Sequence, residues 1–443
     1  MTARADESSS RREFLRGTAA GAAGAVLSQA LGCRTAPAER PNLFVIVADD
    51  FGIDGVGCYG GEAFDTPRID ALAASGVRFE SCYATPLCTP SRVELLTGKY
   101  PFRTGWVANI DHRARRDSDG RSRFVDPALG TWAQRLRDAG YRTAVAGKWQ
   151  LCHFDEHPDH VVECGFDRSC CWAWTVDGKA LNRYWHPALR RDGETVLRLE
   201  GAYGPDVCCD WLLDFVASSR GRPWVAYHPM ILPHKPFVRP PGALPPGKGF
   251  DRRKDADAAN FPALVGHLDA IVGRVVDALE RTGERERTWI VFLGDNGTPA
   301  EVATRFRGRD LRGGKGSLTE IGTRVPLIVS RPGVAAPGRV IADPVDLSDL
   351  FPTLLDLAGV DVPPGLDGAS LAPALRGEGG VARTWAYSQL GAAQSLREGD
   401  WKWYSDRRLF DLAGDPFEET NRYDDPAAAE VLRAFERTAR ELG

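Results

Sequence analysis

From Ala84 to Gly98 the chain reads ATPLCTPSRVELLTG, with Cys88 between two prolines and Arg92 four positions after it. A thiol can be a nucleophile, or it can be packed as a small apolar side chain. Elsewhere the chemistry is harder. Asp49 and Asp50 end NLFVIVADD, and Asp295 and Asn296 sit in GDNG behind the run TWIVFL. These side chains offer only oxygen donors, which select calcium or magnesium over zinc. Either pair alone reads as a strand-end turn. Two such pairs, each directly behind an apolar run, point to a metal.

The elements that must position these residues follow from periodicity. The run Asn42–Ala48 has the pattern of a strand buried on both faces in a parallel sheet, so its charges emerge at the C-terminal end. Residues 67–75 and 129–139 show helical spacing and stop at Gly76 and Gly140, which read as helix C-caps. Residues 141–147, 224–228, 288–293 and 324–330 read as further strands, and 258–282 as a long amphipathic helix. Strands alternating with helices imply an α/β sheet with helices on both faces, and such folds bind ligands beyond the C-terminal strand ends. Lys148 directly ends a predicted buried strand, where an unpaired ammonium would be costly.

The chain has 443 residues, 43% of them apolar, enough for one large core plus a smaller module. With 56 basic and 60 acidic residues it has no global field that would argue for nucleic acid or an anionic membrane surface. The first 38 residues combine Arg11 and Arg12 with a weakly apolar Ala/Gly stretch, the pattern of a twin-arginine export signal; this stretch is not a membrane span. Cleavage near Ala36–Ala38 and lipid attachment at Cys33 compete as outcomes. No other segment reads as a membrane span, so the mature protein is expected to be soluble or tethered at its N-terminus, and the leader makes the expected location exported, periplasmic or extracellular. The ten cysteines show no CxxC spacing, which weighs against zinc, and their pairing stays open. Residues 39–362 read as the catalytic domain, and 363–443 as a smaller α+β module with short strands and a final helix over 426–442.

Five blocks occur in order: ADD, CTPSRVELLTG, GKW, LPHKP and GDNG. Together they resemble the formylglycine-dependent type I sulfatases of the alkaline phosphatase superfamily, from about Asn42 to the C-terminus. The resemblance implies an alkaline phosphatase-like α/β fold, with a large mixed, mostly parallel sheet flanked by helices. It also implies oxidation of Cys88 to formylglycine by a formylglycine-generating enzyme before folding. The hydrated aldehyde would be a metal-bound oxygen nucleophile with a second hydroxyl available to expel product. Asp49, Asp50, Asp295 and Asn296, with the modified Cys88, would hold one divalent cation; donor chemistry alone allows calcium or magnesium, and the resemblance favours calcium. Arg92, Lys148 and Lys315 match the family's cationic positions around the sulfate. His234 matches the histidine that protonates the leaving alcohol, with His228 as the nearby competitor.

One position departs from the pattern. Where the family commonly reads GKWHxG, this chain has Gln150, whose amide can orient a hydroxyl but cannot accept a proton near neutral pH. His153 is a candidate replacement base. Three functions follow: hydrolysis of a sulfate ester, expected on a carbohydrate; hydrolysis of a phosphodiester or phosphonate monoester with the same modified residue; or binding of a sulfated glycan without turnover. The segment between Cys164 and Cys209 adds Trp172, Trp174, Tyr184, Trp185 and several arginines, which suit either a sulfated sugar ring or a core under a long loop. The oligomeric state is not encoded in any of these features.

Overall fold

The computed structural model describes residues 40–110, 123–176, 179–194, 197–242 and 256–442. The twin-arginine stretch and Cys33 lie outside the described residues. In chain order the principal elements are β1 (Asn42–Ala48), α1 (Pro67–Ala74), β2 (Val77–Tyr83), α2 (Cys88–Thr97), α3 (Trp132–Asp138), β3 (Arg142–Gly147), β4 (Arg168–Trp172), α4 (Gly204–Ser218), β5 (Trp224–Pro229), α5 (Phe261–Arg281), β6 (Thr288–Gly294) and β7 (Arg324–Ser330).

β1 is apolar along its whole length and every residue of it is buried, because it has a parallel strand on each side. The sheet runs Arg339–Ile341, β2, β7, β6, β1, β5, β3, β4, Ala188–Arg191 and Leu197–Arg198, with Val345–Asp346 also paired to β2. β6, β1, β5, β3 and β4 form a continuous parallel block. Antiparallel partners flank it: β7 on β6, and Ala188–Arg191 on β4. The fold is therefore the mixed, mostly parallel α/β sheet expected. Helices α1 and α5 pack on each other, and α4 packs on β3 and β5.

Register places the chemistry. Ala48 pairs with Gly294 across β1 and β6, so Asp49 and Asp295 leave adjacent strands at the same level. At the end of β3, Gly147 has a φ of 131°, and a Cβ there would lie 2.0 Å from the Pro229 carbonyl oxygen. Only glycine permits this approach, and it lets the Lys148 amide donate to that same oxygen at 2.7 Å. Lys148 is thereby aimed toward β1.

Several boundaries differ from the sequence reading. The helix expected from Leu129 begins at Trp132, because Thr131 and Gln134 form a capping box and Pro127–Leu129 make a separate 3-10 turn. The long helix starts at Phe261 behind a 3-10 turn whose N-cap is Asp257, and the last helix at Ala429 behind one capped by Asp425. Gly76 is not a left-handed cap. Ser75 holds the cap position of α1, and Gly76 is required because a Cβ would come within 2.6 Å of Ser330 and the Val329 carbonyl oxygen on β7. Strand β2 has no counterpart in the sequence reading.

Near the C-terminus, Trp385–Leu390, Ala393–Glu398, Trp401–Tyr404 and Arg408–Asp411 form an antiparallel meander. The helix Ala429–Leu442 packs on it through Phe435.

Candidate active site

Cys88 is the first residue of α2, a helix in which every residue is buried, and its sulfur faces the ends of β1 and β6. Sγ lies 3.4 Å from Asp50 Oδ1 and 3.6 Å from Asp49 Oδ1, and the Lys315 ammonium donates to it at 3.3 Å. Lys315 also bonds Asp50 Oδ1. One turn further along α2, Arg92 donates to Asp295 Oδ2 through Nε at 3.1 Å and Nη2 at 2.8 Å. Its Nη2 also lies 3.3 Å from Asp49 Oδ1, and Nη1 donates to the Lys148 carbonyl at 3.1 Å. Lys148, buried, donates to Asp49 Oδ1 at 2.7 Å. Asn296 donates to Asp50 Oδ1 at 2.9 Å, and the Asp50 amide donates to Asp295 Oδ1 at 3.0 Å.

With His234, these side chains come from six chain segments, and together they fix the charge states. Burial acts to raise the pKa of Asp49, but Lys148, His234, Arg92 and Lys315 outweigh it and hold the carboxyl far below the usual range. For Asp50 burial is likewise overcome, by His234 and Lys315. Asp295 goes the other way, to about 6, because burial and the neighbouring aspartates exceed the pull of Arg92. Burial pushes the Cys88 thiol well above its ordinary value, despite Lys148 and Lys315. An unmodified Cys88 would therefore be a protonated, weak nucleophile.

The donor set fits a hard divalent cation. Asp49 Oδ2, Asp50 Oδ2 and Asn296 Oδ1 are all buried without a hydrogen-bond partner among the described residues. Leaving such acceptors bare is costly, and an oxygen-seeking ion removes the cost. One ligand atom from each of Asp49, Asp50, Cys88 and His234 lies within 4.8 Å of the others. Asp295 differs from its neighbours, since each of its oxygens already accepts a hydrogen bond from Arg92 or the Asp50 amide. It reaches an ion only by sharing one of them.

His234 borders the cluster, with Nε2 3.5 Å from Asp50 Oδ2. Burial lowers its pKa to about 3 against the pull of Asp50 and Asp49. His228, the competitor, is buried within β5 with Nδ1 against the Ala146 carbonyl at 2.7 Å. Gln150 holds a φ of 54°, strained for a residue with a Cβ, and its Oε1 is buried without a partner among the described residues. His153 stacks on Trp174 with ring centroids 4.7 Å apart, and its Nδ1 lies 3.4 Å from Thr175 Oγ1.

The aromatic segment resolves toward packing. Trp172, Trp174 and Tyr184 are buried in the main core and Trp185 is partly buried against it, so their faces are not an open sugar platform. Sequence reasoning named Tyr184 only among the aromatics of this segment and did not name Arg183, yet Arg183 Nη1 lies 3.2 Å from His234 Nδ1 and the Tyr184 hydroxyl 3.1 Å from the Ile231 carbonyl oxygen. No local signal marks them, because their partners are about fifty positions away. The described cysteines are all free thiols.

An α/β fold whose parallel strand ends carry an oxygen-donor metal cradle, a buried cysteine and three cations defines an ester hydrolase acting on a tetrahedral anion. The family profile described as Sulfatase matches residues 41–360. Steryl-sulfatase of Mus musculus is 31% identical over 432 residues, covering 77% of this chain and 66% of the relative. N-acetylgalactosamine-6-sulfatase of Canis lupus familiaris is 31% identical over 378 residues, covering 80% of this chain and 69% of the relative. The chain thus spans about two thirds of the length of these relatives. Among solved structures, Ps i-CgsB in complex with k-i-k-neocarrahexaose superposes with a TM-score of 0.74 at 26% identity, over 90% of this chain and 92% of that one. The chain belongs to the sulfatase family, whose members are sulfuric ester hydrolases.

Proposed function

We propose that the chain hydrolyses a sulfate ester carried on a carbohydrate, with Cys88 at the reaction centre after conversion to formylglycine. The observation that carries this reading is the set of unpaired buried oxygens of Asp49, Asp50 and Asn296 around Cys88. A divalent ion held there, calcium by family likeness, supplies positive charge opposite the sulfate, and the formylglycine supplies an oxygen nucleophile. Lys315 stands beside position 88 and neutralises charge that builds on the sulfate oxygens. Arg92 acts one step back, because its donors are taken up by Asp295, Asp49 and the Lys148 carbonyl; it fixes the carboxylates in place. Lys148 does the same for Asp49. His234, beside Asp50, is the group that faces the oxygen of the departing alcohol and donates a hydrogen bond to it. Gln150, with its free carbonyl oxygen, orients a reacting hydroxyl without taking its proton.

The carbohydrate assignment is supported by the hexaose bound to Ps i-CgsB and by the sugar sulfate named for the canine relative. Maturation by a formylglycine-generating enzyme and export through the twin-arginine leader, ending in cleavage near Ala36–Ala38 or in a lipid tether at Cys33, belong to the same proposal. No helix among the described residues is long and apolar enough to cross a membrane.

The test is co-expression with a formylglycine-generating enzyme, mass analysis of the Cys88 peptide, and assay on sulfated sugars beside an aryl sulfate and an aryl phosphodiester. The aldehyde should be found, sulfate esters should be the better substrates, and Cys88→Ala should lower kcat/KM by at least ~10³-fold without loss of folding. Full activity with an unmodified thiol would sink the mechanism.

A further inference from the structure

Two vicinal cysteine pairs lie outside the catalytic cluster, and the fold brings one thiol of each together. β4 carries Cys170 and Cys171, and α4, which packs on β4, carries Cys208 and Cys209. Side chains alternate along a strand, so with Cys170 turned to α4, Cys171 takes the opposite face, near Cys152. On α4, Cys209 stands beside Arg274 of α5. Cys208 stands against β4, with Sγ 3.6 Å from the Cys170 carbonyl oxygen and its thiol hydrogen-bonded to the Cys170 sulfur. Arg191, the cross-strand partner of Cys170, brings its guanidinium to the same sulfur.

This arrangement singles out Cys170 among the described thiols. The hydrogen bond from Cys208, with Arg191, outweighs burial and holds the Cys170 thiol below its ordinary value. Cys208 is pushed well above it, by that same bond and by burial. Burial raises every other described cysteine. An acidified thiol in contact with a second thiol has the chemistry of a dithiol couple, in which the thiolate attacks and its neighbour resolves.

We propose that Cys170 and Cys208 form a redox couple, a dithiol as the structure shows them and a disulfide once the chain meets an oxidising compartment. The co-reactant is a small-molecule disulfide such as glutathione disulfide. The Cys170 thiolate attacks one of its sulfurs, which forms a mixed disulfide and releases one glutathione thiolate. Cys208, its proton lost, then attacks the Cys170 sulfur, forming the intrachain S–S bond and releasing the second glutathione. Two electrons pass from the chain to the oxidant, and the two protons leave with the two glutathione thiols. The bond joins β4 to α4 and closes the segment whose Arg183 and Tyr184 reach the His234 loop. The couple does not rest on the sulfatase reading.

The test equilibrates the full chain in glutathione buffers, from reducing to oxidising, until the ratio of forms is constant; the protein is then acid-quenched, unfolded, alkylated and mass-mapped. One intrachain link should appear, between the Cys170 and Cys208 peptides, with Cys171 and Cys209 still alkylated. Cys208→Ser should stop the reaction at a glutathione adduct on Cys170, because the resolving thiol is gone, and Cys170→Ser should leave Cys208 without an adduct. Oxidised wild type should unfold at higher urea than reduced wild type, since the link restricts the unfolded chain, and the double substitution should remove that difference. Should a variant misfold, the wild-type map decides alone. Alkylation of both Cys170 and Cys208 in the most oxidising buffer, or a link through Cys171 or Cys209 instead, would overturn the proposal.

Discussion

Helix α2 touches two buried acidic clusters, and they resolve the same problem differently. At its N-terminal end Asp49, Asp50 and Asp295 face Arg92, Lys148 and Lys315, and Asp49 and Asp50 are held ionised. On its other side Glu94, Asp346 and Asp349 share Arg383. Arg383 Nη2 bonds Asp349 Oδ2 at 2.6 Å and lies 3.0 Å from Asp346 Oδ2, which also accepts from the Tyr100 hydroxyl at 3.0 Å. Both Glu94 oxygens are buried without a hydrogen-bond partner among the described residues. Burial, with Asp346 adding to it, raises Glu94 well above its usual value, and burial raises Asp349 to about 7. Unpaired carboxylate oxygens therefore mean opposite things at the two ends. With cations in equal number they stay charged and open to an ion; with one cation for three acids they keep a proton.

The largest break in this comparison should come from Arg92→Ala. It leaves Asp295 and Asp49 without their shared partner and should cost about 3–5 kcal/mol in urea unfolding, with turnover lost. If that substitution cost no more than an exposed salt bridge, the site would not depend on balanced charge.

A smaller effect appears in the pH dependence, where Asp349 carries one sign and Asp49 and Asp50 the other. Asp349 binds a proton in the folded chain up to about 7 while the unfolded chain has lost it near 3.8, so its contribution is full below that lower value and fades as pH rises toward 7. Asp49 and Asp50 are depressed, so their contribution is present above the ordinary carboxylate value and fades as pH falls below it. Relative to Asp349→Asn, metal-free protein should thus lose about 1–2 kcal/mol of unfolding free energy between about pH 5 and pH 8. A rise over that interval would contradict a protonated second cluster.

The smallest expected change is Glu94→Gln, which replaces a protonated acid by a neutral amide of the same shape. It should shift stability by less than about 1 kcal/mol near pH 5 and flatten the fall above it. A loss of several kcal/mol would show that Glu94 is charged.

The local pattern made much of this protein legible. Apolar runs gave β1, β5, β6 and β7 nearly to the residue, and the ordered blocks around Cys88, Lys148, His234 and Asp295 named the site's principal side chains. Helix starts were less legible, because a capping box at Thr131 and the 3-10 turns before α5 and the last helix shift the first helical residue without changing the apolar period. The role of Gly76 also needed the fold, since a close approach to Ser330 leaves no trace in the neighbouring sequence.

What the sequence determined by itself is the kind of chemistry: oxygen donors at strand ends, a cysteine at the start of a helix, cations to meet an anion. Pairing is what only the tertiary structure decided. Parallel register sets Asp49 beside Asp295, 246 positions away in the chain, and the bend at Gly147 sends Lys148 to Asp49. It also brought Arg183 to His234 and distinguished a charged cluster from a protonated one. The physical reason is that charge state and proton position depend on which groups meet in the dry interior, and such meetings are fixed by long-range packing.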